Sequence, residues 1–186
     1  MLLHEYIERI SRLLQTEARL VGSAHNLQPI QLNALHFLHR SNRYSNTPQG
    51  VTEYFGLTKG TVSQTLMTLE SKGFIKKNSD KKDGRVVHLD VTRAGKNLLD
   101  KTMPSPAMKS AWQGLQGQEQ KQLVEELKRL LLAMQKTNGM NAFGVCGTCR
   151  YNQKKGGGKF FCELTQENLS LKDTDLICRE HQPVAI

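Results

Sequence analysis

Aromatic residues are scarce, at 6% of the 186 residues, and no apolar run approaches the roughly 20 residues that a membrane-spanning helix requires. With 38% hydrophobic and 23% charged residues, the chain reads as a soluble, rather polar, helix-rich protein. Its length suits one domain with an appendage, or two small ones, and excludes a large multidomain enzyme. Glu5, Glu8 and Arg9 occupy the first ten residues, where an export signal needs an apolar core, so a cytoplasmic location is expected, without membrane partners. Cysteine is missing from the first 145 residues; all four follow. In an unexported chain that placement points to metal or redox chemistry rather than to a disulfide framework. Recognisable catalytic motifs are missing too: no nucleophile elbow, no phosphate loop and no paired-carboxylate constellation, Glu125-Glu126 being better read as a solvated helix face. No enzymatic activity is expected.

Basic residues are abundant. Lys and Arg number 26 against 17 acidic residues, a net charge of +9 that favours polyanionic partners. The excess is greatest between residues 40 and 100, where the net charge is +5. Residues 1 to 39 are balanced.

Apolar spacing predicts a first helix from Leu3 to Val21, and Pro29 opens a second with Ile30, Ala34, Phe37 and Leu38 on one side. Thr47-Pro48 starts a short third helix, which Gly56 ends. Thr58 caps a fourth that turns Val62, Leu66 and Leu69 inward, and Gly73 closes it. Two short helices joined by a glycine-containing turn form a helix-turn-helix candidate. The period then changes: Phe74-Ile75 and Val87, Leu89 and Val91 read as two strands around a basic tip from Lys76 to Arg85, a wing. A fifth helix follows Thr92 until Pro104 and Pro106 interrupt it. A sixth, about 118 to 135, carries Leu123, Leu127, Leu130 and Met134 in one stripe.

A helix entering the major groove must bury one side and present hydrogen-bonding groups on the other. The fourth helix does so with Gly60, Thr61, Gln64 and Thr68, flanked by Lys59 and Ser63, while Arg85 and the wing lysines can enter the minor groove. Thr58, Lys59, Thr61, Ser63, Gln64, Lys81, Lys82 and Arg85 are therefore the candidate contacts to double-stranded DNA. The first and sixth helices have more apolar surface than one small chain easily covers, which predicts a homodimer and a pseudo-palindromic operator. The alternative readings are a thiol or metal redox protein and a winged-helix adaptor that binds protein. His4, His25, His36, His39 and His88 read as ordinary surface or half-buried residues.

In Thr61-Val62-Ser63-Gln64, Leu69-Glu70-Ser71-Lys72-Gly73-Phe74-Ile75, Asp83-Gly84-Arg85 and Leu89-Asp90-Val91-Thr92-Arg93-Ala94-Gly95, the sequence resembles the MarR (multiple antibiotic resistance regulator) family of winged-helix transcription factors. The resemblance extends more weakly over residues 1 to 138. It implies a mainly α fold with a β-hairpin wing and a homodimer joined through the first, fifth and sixth helices. It also implies a recognition helix at 58 to 72, a wing arginine at Arg85, an Asp83 that braces the wing by pairing with a nearby basic group, and repression as the default. A small-molecule effector is a further expectation. Gln64 departs from the family pattern, standing where many members carry a basic residue, so base preference does not carry over.

Residues 139 to 186 form a second, cysteine-rich unit: Cys146-x2-Cys149-x12-Cys162-x15-Cys178-x2-His181. Thiolates two residues apart can converge on one metal, and a tetrahedral zinc ion takes four such ligands. Five candidates exceed four positions, so either His181 or one cysteine stands outside. Zn2+ is the first expectation and an iron-sulfur cluster the alternative, with a thiol switch as a third reading. Because the tail follows the sixth helix directly, it is expected to dock on the dimerisation helices and to change the spacing of the recognition helices with metal or redox state.

Overall fold

The computed structural model describes residues 2–81 and 83–184, so that Lys82 lies outside the described residues. The helices of the amino-terminal part are α1 (Leu3–Ser23), α2 (Pro29–Arg40), α3 (Pro48–Phe55) and α4 (Lys59–Ser71). The wing strands β1 (Ile75–Ser79) and β2 (Val87–Val91) pair antiparallel, with Ile75 opposite Val91 and Ser79 opposite Val87. Three further helices follow: α5 (Arg93–Thr102), α6 (Pro106–Gln113) and α7 (Gly117–Thr137). The fold is mainly α with a hairpin wing, the expected winged helix-turn-helix.

Local chemistry sets these boundaries. The Thr47 hydroxyl accepts the Gly50 amide at 3.0 Å at the start of α3, and Gly56 ends that helix in the left-handed region, at φ 62°. Thr58 caps α4 by accepting the Thr61 amide at 3.2 Å, and Thr92 caps α5 through Gly95 at the same distance. Helix α6 departs from the sequence reading, which took Pro104 and Pro106 only as an interruption. Ser105 accepts the Met108 amide at 3.2 Å, and Pro106 sits in the first turn, where no amide donor is needed. Pro104 lies just past the end of α5, and Pro106 begins the next helix.

Helix α2 lies at the centre of the core. Leu32, Leu35, Phe37 and Leu38 meet Val51 of α3, Val62, Leu66 and Leu69 of α4, Ile75 and Leu89 of the wing, and Leu98 and Leu99 of α5. Helix α4 and the wing are thus seated on one apolar cluster. His36, on α2, has its pKa lowered by burial first, then by the charges of Arg40 and His39. The unfolded chain therefore binds a proton that the folded chain resists. Stability from this group is complete above the unfolded pKa of about 6.5 and is lost as pH falls toward the depressed folded value. Denaturant midpoints are expected to drop between pH 7.5 and 5.5, and H36Q to flatten that drop; an unchanged slope in the variant would remove His36 as its source.

The tail is largely extended. Strands β4 (Asn152–Gly156), β5 (Lys159–Cys162) and β6 (Glu167–Leu169) form an antiparallel sheet, and β3 (Gly144–Val145) pairs with β7 (Ile177–Cys178). A short helix, α8 (Leu171–Thr174), lies between β6 and β7. Gly156, Gly157 and Gly158 all have positive φ, of 82°, 57° and 72°, which explains the glycine run as the turn joining β4 to β5. Phe143 and Ile177 pack on the main core, and Phe143 stands edge-on to Tyr54, 5.2 Å between centroids.

The hydrogen bonds that seat the tail run to residues 41–47, between α2 and α3, and to α3 itself. The Asn42 amide donates to the Ile177 carbonyl at 2.9 Å, and the Arg179 amide donates to Ser45 Oγ at 2.9 Å. Arg179 Nη2 meets Glu53 at 2.9 Å. The tail thus engages the helix-turn-helix itself, where the sequence reading looked to the dimerisation helices.

Candidate nucleic-acid interface and cysteine cluster

Helix α4 is two-sided. Val62, Thr65, Leu66 and Leu69 are buried, while Lys59, Gly60, Thr61, Ser63, Gln64 and Met67 are exposed. The open face runs through Gly60, Ser63, Gln64, Met67 and Ser71 at helical spacing, and it is bare of charge. Thr58 and Thr61 are partly engaged with one another, their hydroxyls 2.9 Å apart at the cap. Thr68 is half-buried, its hydroxyl donating to the Gln64 carbonyl at 3.0 Å, which draws it away from the open face. Met67, 54% exposed, was not anticipated, because a methionine in an apolar helix reads as core unless its angular position is followed.

The wing presents Lys81 and Arg85 at its exposed tip. Arg85 is held in a fork: its Nε and Nη2 donate to the two Asp83 carboxylate oxygens at 3.0 and 2.9 Å, and its amide donates to Asp83 at 3.0 Å. These bonds hold the Asp83 carboxyl below its ordinary pKa and the guanidinium above its own. Asp83 thus pairs with the wing arginine itself. With its side chain 91% exposed, Arg85 is pre-oriented yet able to exchange one anion for another.

Residues 41–47 join wing and tail. The Leu89 amide donates to the Asn46 carbonyl at 2.7 Å. Asn46 Oδ1 lies 2.8 Å from His88 Nδ1, and His88 Nε2 lies 2.9 Å from Asp80. On the other side of the same segment, the Asn42 side chain accepts the Ser45 hydroxyl at 2.9 Å, and the Asn42 amide holds Ile177, next to Cys178. Ser45 is fully buried. This Ser- and Asn-rich stretch has the composition of a plain loop. Its polar side chains are in fact internal connectors.

All four cysteines are free. Cys146 and Cys178 share a small cluster with Leu169, and Cys162 packs against it. Cys149 follows Cys146 through one turn, its amide donating to the Cys146 carbonyl at 3.1 Å. Burial first, together with the nearby charges of Cys178, Cys149 and Cys162, pushes the Cys146 thiol up to about 11. The sulfurs also receive N–H donors: Asn152 Nδ2 lies 3.6 Å from Cys146 Sγ and the Gln182 amide 3.5 Å from Cys149 Sγ. His181 is buried; its Nε2 is 3.0 Å from the Thr148 hydroxyl, and its ring lies so close to Gly144 that a Cβ there would fall 2.5 Å from Nδ1. Among the described residues, no three His, Cys, Asp or Glu side chains are close enough to hold a metal ion as they stand.

Similarity to known proteins agrees with this architecture. The pattern of the MarR family matches residues 25–86. An uncharacterised HTH-type transcriptional regulator of Bacillus subtilis (strain 168), YkoM, is 30% identical over 140 residues, spanning 67% of this chain and 88% of that protein. Among solved structures, a MarR transcriptional regulator from Methanosarcina mazei Go1 is similar at 17% identity and a TM-score of 0.62, covering 73% of this chain and 97% of its own. The S. aureus MepR–DNA complex is similar at 20% identity and a TM-score of 0.57, with 70% and 97% covered. The structural likenesses show the fold, and the extent of the YkoM match shows the family: this chain is a member of the MarR family of winged-helix transcriptional regulators.

Proposed function

We propose that the chain is a cytoplasmic, homodimeric DNA-binding repressor that reads a pseudo-palindromic operator with half-sites about one helical turn apart. The carrying observation is the two-sided α4, buried through Val62, Leu66 and Leu69 and open through Gly60, Ser63, Gln64 and Met67, beside the braced Arg85. On this reading the open face of α4 meets base edges in the major groove. Gln64 suits adenine and Met67 a thymine methyl, while Thr58, Lys59, Thr61 and Ser63 meet the rim and the phosphates. Arg85, with Lys81 and Lys82, follows the neighbouring minor groove. The solved MepR complex, which contains DNA, supports this arrangement by its similar fold.

An apolar cavity of about 480 Å³ beneath α1, lined by Leu14, Ala18, Val21, Met103 and Met108, suits a small hydrophobic effector. The tail is proposed to hold Zn2+, or alternatively an iron-sulfur cluster, with Cys146, Cys149, Cys162, Cys178 and His181 as its candidate ligands.

Duplex binding measured against salt tests the DNA reading. Log affinity is expected to fall linearly with log salt, and R85A to make that slope shallower by about one. Q64A is expected to weaken specific binding by about 1–3 kcal/mol while leaving the slope unchanged. A protein that binds no genomic duplex at low salt, with its metal or without it, would be a redox or adaptor protein instead.

A further inference from the structure

The four thiols of the tail come from three neighbouring elements: the turn at Cys146–Thr148 with the following Cys149, the end of β5 at Cys162, and β7 at Cys178. They are neighbours, not yet at ligand spacing. Cys146, Cys178 and Cys162 belong to one packed cluster, and Cys149 follows Cys146 by a single turn. All four sulfurs are reduced, and two of them receive N–H donors, Cys146 from Asn152 and Cys149 from Gln182, which a disulfide framework does not account for. Such donors stabilise thiolates that bind metals. His181 is held by Nε2 on Thr148 and by its ring against Gly144, which leaves its buried Nδ1 without a hydrogen-bond partner and makes it the rival ligand that the experiment must exclude.

We propose that Cys146, Cys149, Cys162 and Cys178 bind one thiolate-ligated metal centre without His181, and that this centre controls DNA affinity by fixing residues 41–47 and, through them, the wing. The inference rests on the reading of the tail as a metal module and deepens it by naming the ligands and the point of action. Two metal chemistries satisfy four thiolates. A single zinc, with Zn–S of about 2.3 Å, draws its sulfurs to about 3.8 Å from one another, and the thiols must close inward to reach that spacing. A cluster of several irons bridges a wider gap between its cysteines.

The route to the wing is short. Ile177, the residue before Cys178, accepts the Asn42 amide; Asn42 accepts the Ser45 hydroxyl; and Ser45 also receives the amide of Arg179, the residue after Cys178. Asn46 then holds β2 through the Leu89 amide and the His88 ring. An added Cβ on Gly50 would come within 2.1 Å of the Ser45 carbonyl, so this segment is wedged against α3 with no slack. Movement of Cys178 therefore reaches both the helix-turn-helix and the wing. A contiguous bonded path of this kind carries coupling only where both ends bias it, which the experiment must show.

The test uses full-length protein purified without air. Metal analysis is expected to find either one zinc per chain in colourless protein or iron with sulfide in coloured protein. Either supports the site, and metal-free protein overturns both this inference and the reading beneath it. H181A is expected to keep its metal, whereas C149S and C162S lose it. A histidine variant that loses metal as the serine variants do overturns the all-cysteine assignment. Removing the metal with a chelator is expected to weaken operator binding at least tenfold while the far-ultraviolet circular dichroism of the helices persists. N46A, fully metallated, is expected to show weakened binding already and to respond little to the chelator. Metallated protein whose DNA affinity ignores the chelator would overturn the coupling alone and leave the metal reading standing.

Discussion

If α7 forms the proposed dimer interface, replacing its Leu127 and Leu131 with aspartate is expected to give a folded monomer that binds operator DNA at least a hundredfold more weakly than the unmodified protein. None of the 21 residues of α7 is buried in the single chain. Leu123, Val124, Leu127, Leu131 and Met134 are each 42–54% exposed, and α1 adds Ile10 at 54% and Leu13 at 55%. A lone helix of this length with so broad an apolar face is not stable against water without a partner surface. Completing the burial of each half-exposed side chain is worth on the order of 1 kcal/mol, and several on each of two chains contribute to a symmetric interface. Two carboxylates placed there must be desolvated without partners, which costs more than the lost apolar contacts. The DNA effect follows from linkage of two recognition helices, since separated half-site binders lose an effective-concentration advantage of about 10²–10⁴. Light scattering reports the mass and circular dichroism the fold. A variant that still runs as a dimer would place the interface elsewhere.

The parts of this fold that were legible in the sequence are those decided locally. Thr47-Pro48, Gly56, Thr58, Gly73 and Thr92 each act on the backbone within three or four residues, so caps and turns fixed the helix-turn-helix before any packing was known. That Asp83 braces the wing was legible, but its partner was not: the structure names Arg85. Features that depend on distant partners were not legible. The tail sheet joins Asn152 to Cys162 and Cys162 to Glu167, pairings that alternating hydrophobicity hardly marks in so polar a segment. Asn42, Ser45 and Asn46 look like any polar loop, and only the approach of Arg179 and His88 makes them connectors. The cysteine spacing announced a cluster but not its seat, because chain order places the tail after α7 while Phe143 and Ile177 return it to the main core.

Two apolar residues on α4, two positions apart, are expected to separate stability from function. Leu69 is fully buried and joins α4 to the common core, so L69A removes three carbons and leaves a cavity that neighbours on α2 and the wing cannot fill without moving. Large-to-small changes of this kind cost about 2–5 kcal/mol, a sizeable share of the 5–15 kcal/mol that stabilises an ordinary domain. The denaturant midpoint is expected to fall sharply. Met67 is 54% exposed on the other side, so M67A should change stability by less than about 0.5 kcal/mol. Its effect is expected in DNA affinity instead, concentrated at one base position and with the salt slope unaltered, as befits an apolar contact rather than a phosphate contact. The pair discriminates between two pictures of α4. If the helix is an interface, damage divides by face, stability on one side and recognition on the other. Equal loss of stability in both variants would mean that the exposed side is covered in the dimer, and the open face of α4 could not then be the surface that meets DNA.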